Sequence, residues 1–222
     1  MKFKGALFDM DGLMFDTENL INDAMRIAGK EMHLPVTDTL LMSMKGINKQ
    51  GCTIRMLTAF GMKNEEELLP FRSRIMQLRA ERLKAYGVPV KKGLYNLLTY
   101  LKYNDYKIGL ATSTSDDIAE SMLKEANVYH YFDNIVYGNQ VINGKPFPDI
   151  YLKCACDLEL SPEECIVFED APSGIEAGYK AGAKVIMIPD CVPPSDKEKK
   201  RCLAILKDLG QAVGFLHAYD NR

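Results

Sequence analysis

Between residues 89 and 188, short apolar runs alternate with segments of helical periodicity, and this alternation constrains the fold more than any other feature of the 222-residue chain. Helical patterns cover residues 93–103, 116–127, 148–158 and 172–181. Strand-like runs cover 106–111, 134–137, 165–168 and 184–188. Parallel neighbours need a crossover of about this length, so the pattern predicts βαβ units and a parallel sheet. Runs such as Cys165-Ile-Val-Phe168 show no polar alternation, which fits a sheet buried on both faces. An earlier apolar run, residues 4–9, is expected to join it.

From residue 14 to 88 no convincing alternating or β-branched run occurs, and the pattern is helical throughout. Asp16 or Thr17 is placed to cap a helix running through Ile27, and Asn64-Glu65-Glu66-Glu67 to start one running toward Tyr86. The predicted fold class is therefore α/β. Residues 1–13 and 89–222 form a Rossmann-like parallel-sheet core, and residues 14–88 a small α-helical domain inserted after the first strand. Met25, Met32, Met42, Met44, Met56, Met62 and Met76 fall in that insertion and are read as its packing. The charged run from Asp196 is read as the solvated face of a final helix. Nothing is read from the tail beyond Gly210.

The charge balance excludes several function classes. Lys plus Arg number 28 and Asp plus Glu 30, a net charge of −2. That gives no basic field for nucleic acid and no cationic face for a membrane. No apolar run reaches spanning length, and the N-terminus lacks a signal-peptide pattern, so a cytoplasmic monomer acting on a small molecule is expected. The six cysteines match no zinc-ligand spacing and are read as reduced thiols.

In open α/β sheets, ligands bind at the carboxyl ends of strands, so the chemistry is sought there. The first strand ends in Asp9-Met10-Asp11-Gly12. Residues two apart in a strand point the same way, and two carboxylates that close require a cation or a shared proton. A plain strand with an Asp-Gly turn would show the same letters. The second core strand runs into Thr112-Ser113-Thr114-Ser115 before a helix start, hydroxyls suited to an anion such as phosphate. Simple N-capping accounts for one of them but not for four. Lys145 stands in Gly144-Lys-Pro-Phe-Pro-Asp149, where two prolines stiffen its platform. Glu169-Asp170 closes a further strand and adds carboxylate oxygens of the kind Mg²⁺ takes.

These four segments, in this order, resemble the motifs of the haloacid dehalogenase superfamily of aspartate-nucleophile phosphatases and phosphomutases. The first runs on through Asp16-Thr17-Glu18, and the fourth through Ala171-Pro-Ser-Gly174. The insertion between the first two resembles the helical cap of the β-phosphoglucomutase-like branch. The resemblance implies that Asp9 is the nucleophile and Asp11 the general acid and base. It also implies that Thr112 and Lys145 neutralise the transferring phosphoryl group, with Ser113 among the substrate contacts. Mg²⁺ is implied as cofactor, bound by Asp9, by Asp11 through its backbone carbonyl, and by Asp170, with Glu169 as a ligand or just behind one.

The cap segment Met44-Lys45-Gly46-Ile47-Asn48-Lys49 resembles the substrate loop of β-phosphoglucomutases, so Lys45, Gly46 and Lys49 are candidate substrate contacts. Lys49 stands where the mutases carry arginine, and no histidine follows Thr17 before His33. Both departures favour a phosphatase acting on a sugar or nucleoside phosphate over a hexose-phosphate mutase. No acidic motif residue is lost, which argues against a non-catalytic binding protein.

Overall fold

The computed structural model describes residues 3–44, 49–190 and 192–220, apart from the side chain of Lys49. Among the described residues the sheet has six strands: β1 (Gly5–Phe8), β2 (Lys107–Thr112), β3 (Asn134–Tyr137), β4 (Cys165–Glu169), β5 (Lys184–Met187) and β6 (Cys202–Ile205). Their order is β3-β2-β1-β4-β5-β6, and every pairing is parallel. The chain leaves β1 toward β2 and β3, then returns to β4 on the other side. β1 therefore lies at the switch point where a ligand crevice forms.

The helices are α1 (Thr17–Glu31), α2 (Asp38–Met44), α3 (Lys49–Phe60), α4 (Leu69–Tyr86), α5 (Leu94–Tyr103), α6 (Asp116–Glu125), α7 (Asp149–Asp157), α8 (Pro172–Ala181), α9 (Asp196–Arg201) and α10 (Leu209–Asp220). Successive strand residues point to opposite faces. Ala6, Phe8, Ile108 and Phe168 pack with Leu94, Leu97 and Leu216 from α5 and α10. Leu7, Val167 and Val185 face Tyr151, Cys154 and Ile175 from α7 and α8. With both faces covered, the strands need no polar alternation. Each large apolar side chain buried here gains about 1.5–3 kcal/mol relative to water.

The chain forms two compact units, residues 1–16 with 88–222, and residues 17–87. The junctions lie a few residues from the expected 13/14 and 88/89. Met14 and Phe15 are buried in the sheet's core, Phe15 bridges Val90 as an antiparallel partner, and Lys91 donates its N–H to the Met14 carbonyl at 2.8 Å. Those contacts bind residues 14–16 to the α/β unit. The helical unit has its own core of Ala24, Met25, Ala28, Met56, Leu68, Phe71 and Ile75, with Phe60 edge-on to Phe71. Five of its seven methionines pack there, whereas Met42 and Met76 are exposed. Asn64 caps a short 3₁₀ turn, accepting the Glu67 N–H, and α4 begins after it.

The charged helix, expected to be the final element, is followed by two more. The charged helix α9 stops at Arg201, and Cys202-Leu-Ala-Ile205 pairs with β5 as a sixth strand. The tail, in which the sequence shows no signal, forms α10. A four-residue edge strand directly after a helix shows no period of its own, and only the free edge of β5 makes it a strand.

Candidate active site

β1 ends at Phe8, and Asp9 extends its pairing by donating its N–H to the Phe168 carbonyl at 3.1 Å. The chain then turns sharply. The Met14 and Phe15 N–H groups both donate to the Met10 carbonyl, and Gly12 N–H to the Phe15 carbonyl. Met10, Leu13, Met14 and Phe15 are fully buried, so apolar anchors hold the loop that carries the two aspartates. Gly12 has φ +86°, a left-handed conformation, and a Cβ there would strike the Asp170 carboxylate. A Cβ on Gly174 would likewise overlap the Glu169 carboxylate. Both motif glycines thus make room for a carboxylate.

Lys145 and the three carboxylates Asp9, Glu169 and Asp170 meet in one buried cluster. Lys145 Nζ donates to Asp9 Oδ1 and, at 2.7 Å, to Glu169 Oε1. Its side chain is 7% exposed. Glu169 Oε1 also accepts the Tyr151 hydroxyl at 2.7 Å, and Oε2 accepts the N–H groups of Asp170 and Ala171 at 3.0 and 3.2 Å. Four donors fill the Glu169 carboxylate's usual acceptor capacity. Asp170 differs: its Oδ1 is buried and has no hydrogen-bond partner among the described residues.

Burial pushes the Asp9 carboxyl up to about 7 against the pull of Lys145. Burial, reinforced by Glu169 and then Asp9, pushes Asp170 up to about 10. Burial disfavours the Lys145 charge, but Asp9 and Glu169 outweigh it and hold the ammonium above its ordinary range. Tyr151 is likewise held far above the usual phenol value, by burial first. Three carboxylates facing one ammonium carry excess negative charge that protons or a cation must offset.

The donor set fits a cation. Oxygen atoms of Asp9, Glu169 and Asp170 lie within 4.8 Å of one another. All are carboxylate oxygens, as hard divalent ions prefer, and the unpartnered Asp170 Oδ1 has capacity to spare. The Asp11 carboxylate, expected in the same set, is outside this group: its Oδ2 accepts the Thr114 hydroxyl at 2.6 Å. β1 ends at Phe8, before either aspartate, so the strand alternation expected to aim both alike does not extend to Asp11.

Thr112, at the end of β2, is buried, and its hydroxyl oxygen accepts the Thr114 N–H at 3.0 Å. Ser113 beside it is exposed. Lys45 and Gly46 lie outside the described residues, as does the side chain of Lys49. The helical unit contains a cavity of about 440 Å³ whose lining includes Glu18, Asn22, Cys52 and Arg72 among methionines.

A sequence model of haloacid dehalogenase-like hydrolases matches residues 6–188, from β1 to just beyond β5. The chain belongs to the haloacid dehalogenase-like hydrolase family. A phosphorylated carbohydrates phosphatase of Thermotoga maritima is 34% identical over 186 residues, covering 82% of this chain and 83% of that protein. The β-phosphoglucomutase of Bacillus subtilis is 30% identical over 185 residues, covering 81% and 80%. A crystal structure of a Thermotoga maritima protein provisionally assigned as a β-phosphoglucomutase superposes with a TM-score of 0.82 at 28% identity, covering 98% and 99%.

In this hydrolase, two residues of the site escape motif reading. Thr114 stands in the hydroxyl run, but nothing in the letters says it holds Asp11. Tyr151 lies two residues into α7 with no motif position. The available signal is that a buried tyrosine needs an acceptor for its hydroxyl.

Proposed function

We propose that the protein is a Mg²⁺-dependent phosphatase that hydrolyses small phosphomonoesters, sugar or nucleoside phosphates, through an aspartyl-phosphate on Asp9. The observation that carries this reading is the shared hold of Lys145 on Asp9 and Glu169 beside the unpartnered Asp170 oxygen. It supports a site built for a dianionic group next to a carboxylate nucleophile.

In the first step an Asp9 carboxylate oxygen attacks phosphorus, and the bond to the leaving oxygen breaks. Asp11 gives that oxygen its proton, so the alcohol departs neutral. In the second step Asp11, now ionised, takes a proton from the water that attacks the phosphoryl group. Phosphate leaves and Asp9 returns as a carboxylate. Thr114, donating to Asp11 Oδ2, fixes the acid's orientation through both steps. Lys145 and Thr112 offset charge on the phosphoryl oxygens. Asp9 and Asp170 would hold Mg²⁺, with the Asp11 carbonyl as a further oxygen, and the ion would supply positive charge for the phosphoryl group. We assign Glu169 to holding Lys145, because its four acceptor positions are filled.

A hexose-phosphate mutase is the second reading, favoured by the similarity to the Bacillus subtilis enzyme. A panel of sugar and nucleoside monophosphates with Mg²⁺, scored for released phosphate and isomerised product, decides between them. Phosphate release at substrate turnover supports the phosphatase. Isomerisation that depends on a bisphosphate, with little phosphate released, overturns it.

A further inference from the structure

Tyr151 touches two groups of the cluster yet has no task in the mechanism above. It is fully buried on α7, donates to Glu169 Oε1 at 2.7 Å, and presents its ring 5.0 Å from Lys145 Nζ. Phenylalanine would fill nearly the same volume without a hydroxyl that must find an acceptor in the core. A lysine ammonium is a compact charge with rotatable donors, so its direction must be imposed by its surroundings. Glu169 supplies that direction only while its own carboxylate is fixed. Two backbone N–H groups pin Oε2, and on Oε1 the Tyr151 hydroxyl is the neutral donor beside Lys145.

We propose that Tyr151 is a positioning residue, which by donating to Glu169 and lying against Lys145 fixes the aim of the ammonium at Asp9. Without the hydroxyl, Oε1 turns its full negative charge on Lys145 and draws the ammonium toward Glu169. Asp9 and the group bound to it lose their share of the positive charge. The consequence for turnover rests on the phosphatase reading; the hold on Lys145 does not.

Tyr151→Phe keeps the ring and removes one oxygen. With Mg²⁺ and the best substrate of the panel, kcat is expected to fall by about tenfold or more, with KM changed by less than about threefold. 4-Aminophenylalanine at position 151 restores a donor and is expected to recover at least about half of kcat. Independently of activity, acetylation of Lys145 by acetic anhydride, read by peptide mass spectrometry against the other lysines, is expected to fall about threefold in Y151F, because the reagent takes only the neutral amine and Glu169 holds the ammonium more tightly. Wild-type kcat and wild-type Lys145 labelling in a folded Y151F would overturn the proposal, as would failure of the amino variant to recover turnover. If the native protein releases no phosphate from any substrate, the phosphatase reading fails, and the labelling still decides the role of Tyr151.

Discussion

Lys145 Nζ bridges Asp9, 136 positions earlier in the chain, and Glu169, which accepts it at 2.7 Å. Breaking a buried ion pair from one side leaves an uncompensated charge. Here it would leave two carboxylates facing each other. Lys145→Met is expected to lose phosphate release and to lower stability by on the order of 3 kcal/mol, read from urea unfolding at pH 7. A variant as stable as the native protein would show that the bridge does not hold the cluster together.

Asp9→Asn removes the attacking oxygen's charge but keeps the shape, and Lys145 retains Glu169. Turnover is expected to fall by roughly 10⁴-fold or more. The melting temperature should stay within a few degrees, since one of the excess negative charges is gone. Full phosphate release from this variant would remove Asp9 from the role of nucleophile.

Mg²⁺ should stabilise the fold through Asp170. At tenfold over its dissociation constant the ion is expected to raise the melting temperature by about 3–6 °C. In Asp170→Asn that shift should largely vanish, while the metal-free variant melts no lower than the metal-free native protein. Burial pushes Asp170 up to about 10, so near pH 7 the metal-free fold already carries it protonated. Chelation should abolish activity, and added Mg²⁺ restore it. Equal shifts in both proteins would place the cation elsewhere.

Acid sensitivity is expected from Glu176 on α8. Its carboxylate accepts Lys197 at 2.7 Å and pairs with Lys180 at 3.0 Å and Arg201 at 3.1 Å. Those cations, Lys197 foremost, hold it down at about 2. A depressed acid adds stability that is present above the ordinary carboxylate range and lost as pH falls toward about 2. Glu176→Gln should therefore cost about 1 kcal/mol at pH 7 and almost nothing near pH 2, measured by urea midpoints at both. A cost that does not change with pH would point to packing instead.

The strand ends could be read directly because the parallel sheet concentrates its chemistry there. Asp9, Thr112, Lys145, Glu169 and Asp170 are legible from their positions in the strand–helix alternation. The glycines of the first and fourth motifs could be noticed but not explained. Their need appears only when Gly12 meets Asp170 and Gly174 meets Glu169, contacts between segments more than 150 residues apart or across a turn. Thr114 and Tyr151 acquire roles in the same way, each through a hydrogen bond to a residue on another strand end.

Periodicity alone settles the parallel α/β core and the helical insertion, because each is a local pattern of burial and turn chemistry. The sixth strand, the Thr114 hydrogen bond to the Asp11 carboxylate and the different hydrogen bonding of Glu169 and Asp170 arise only on folding. Each depends on which donor, edge or cavity lies opposite. Two adjacent carboxylates differ here for that reason: one is saturated by Lys145, Tyr151 and two backbone N–H groups, and the other is left with an oxygen that a cation can claim.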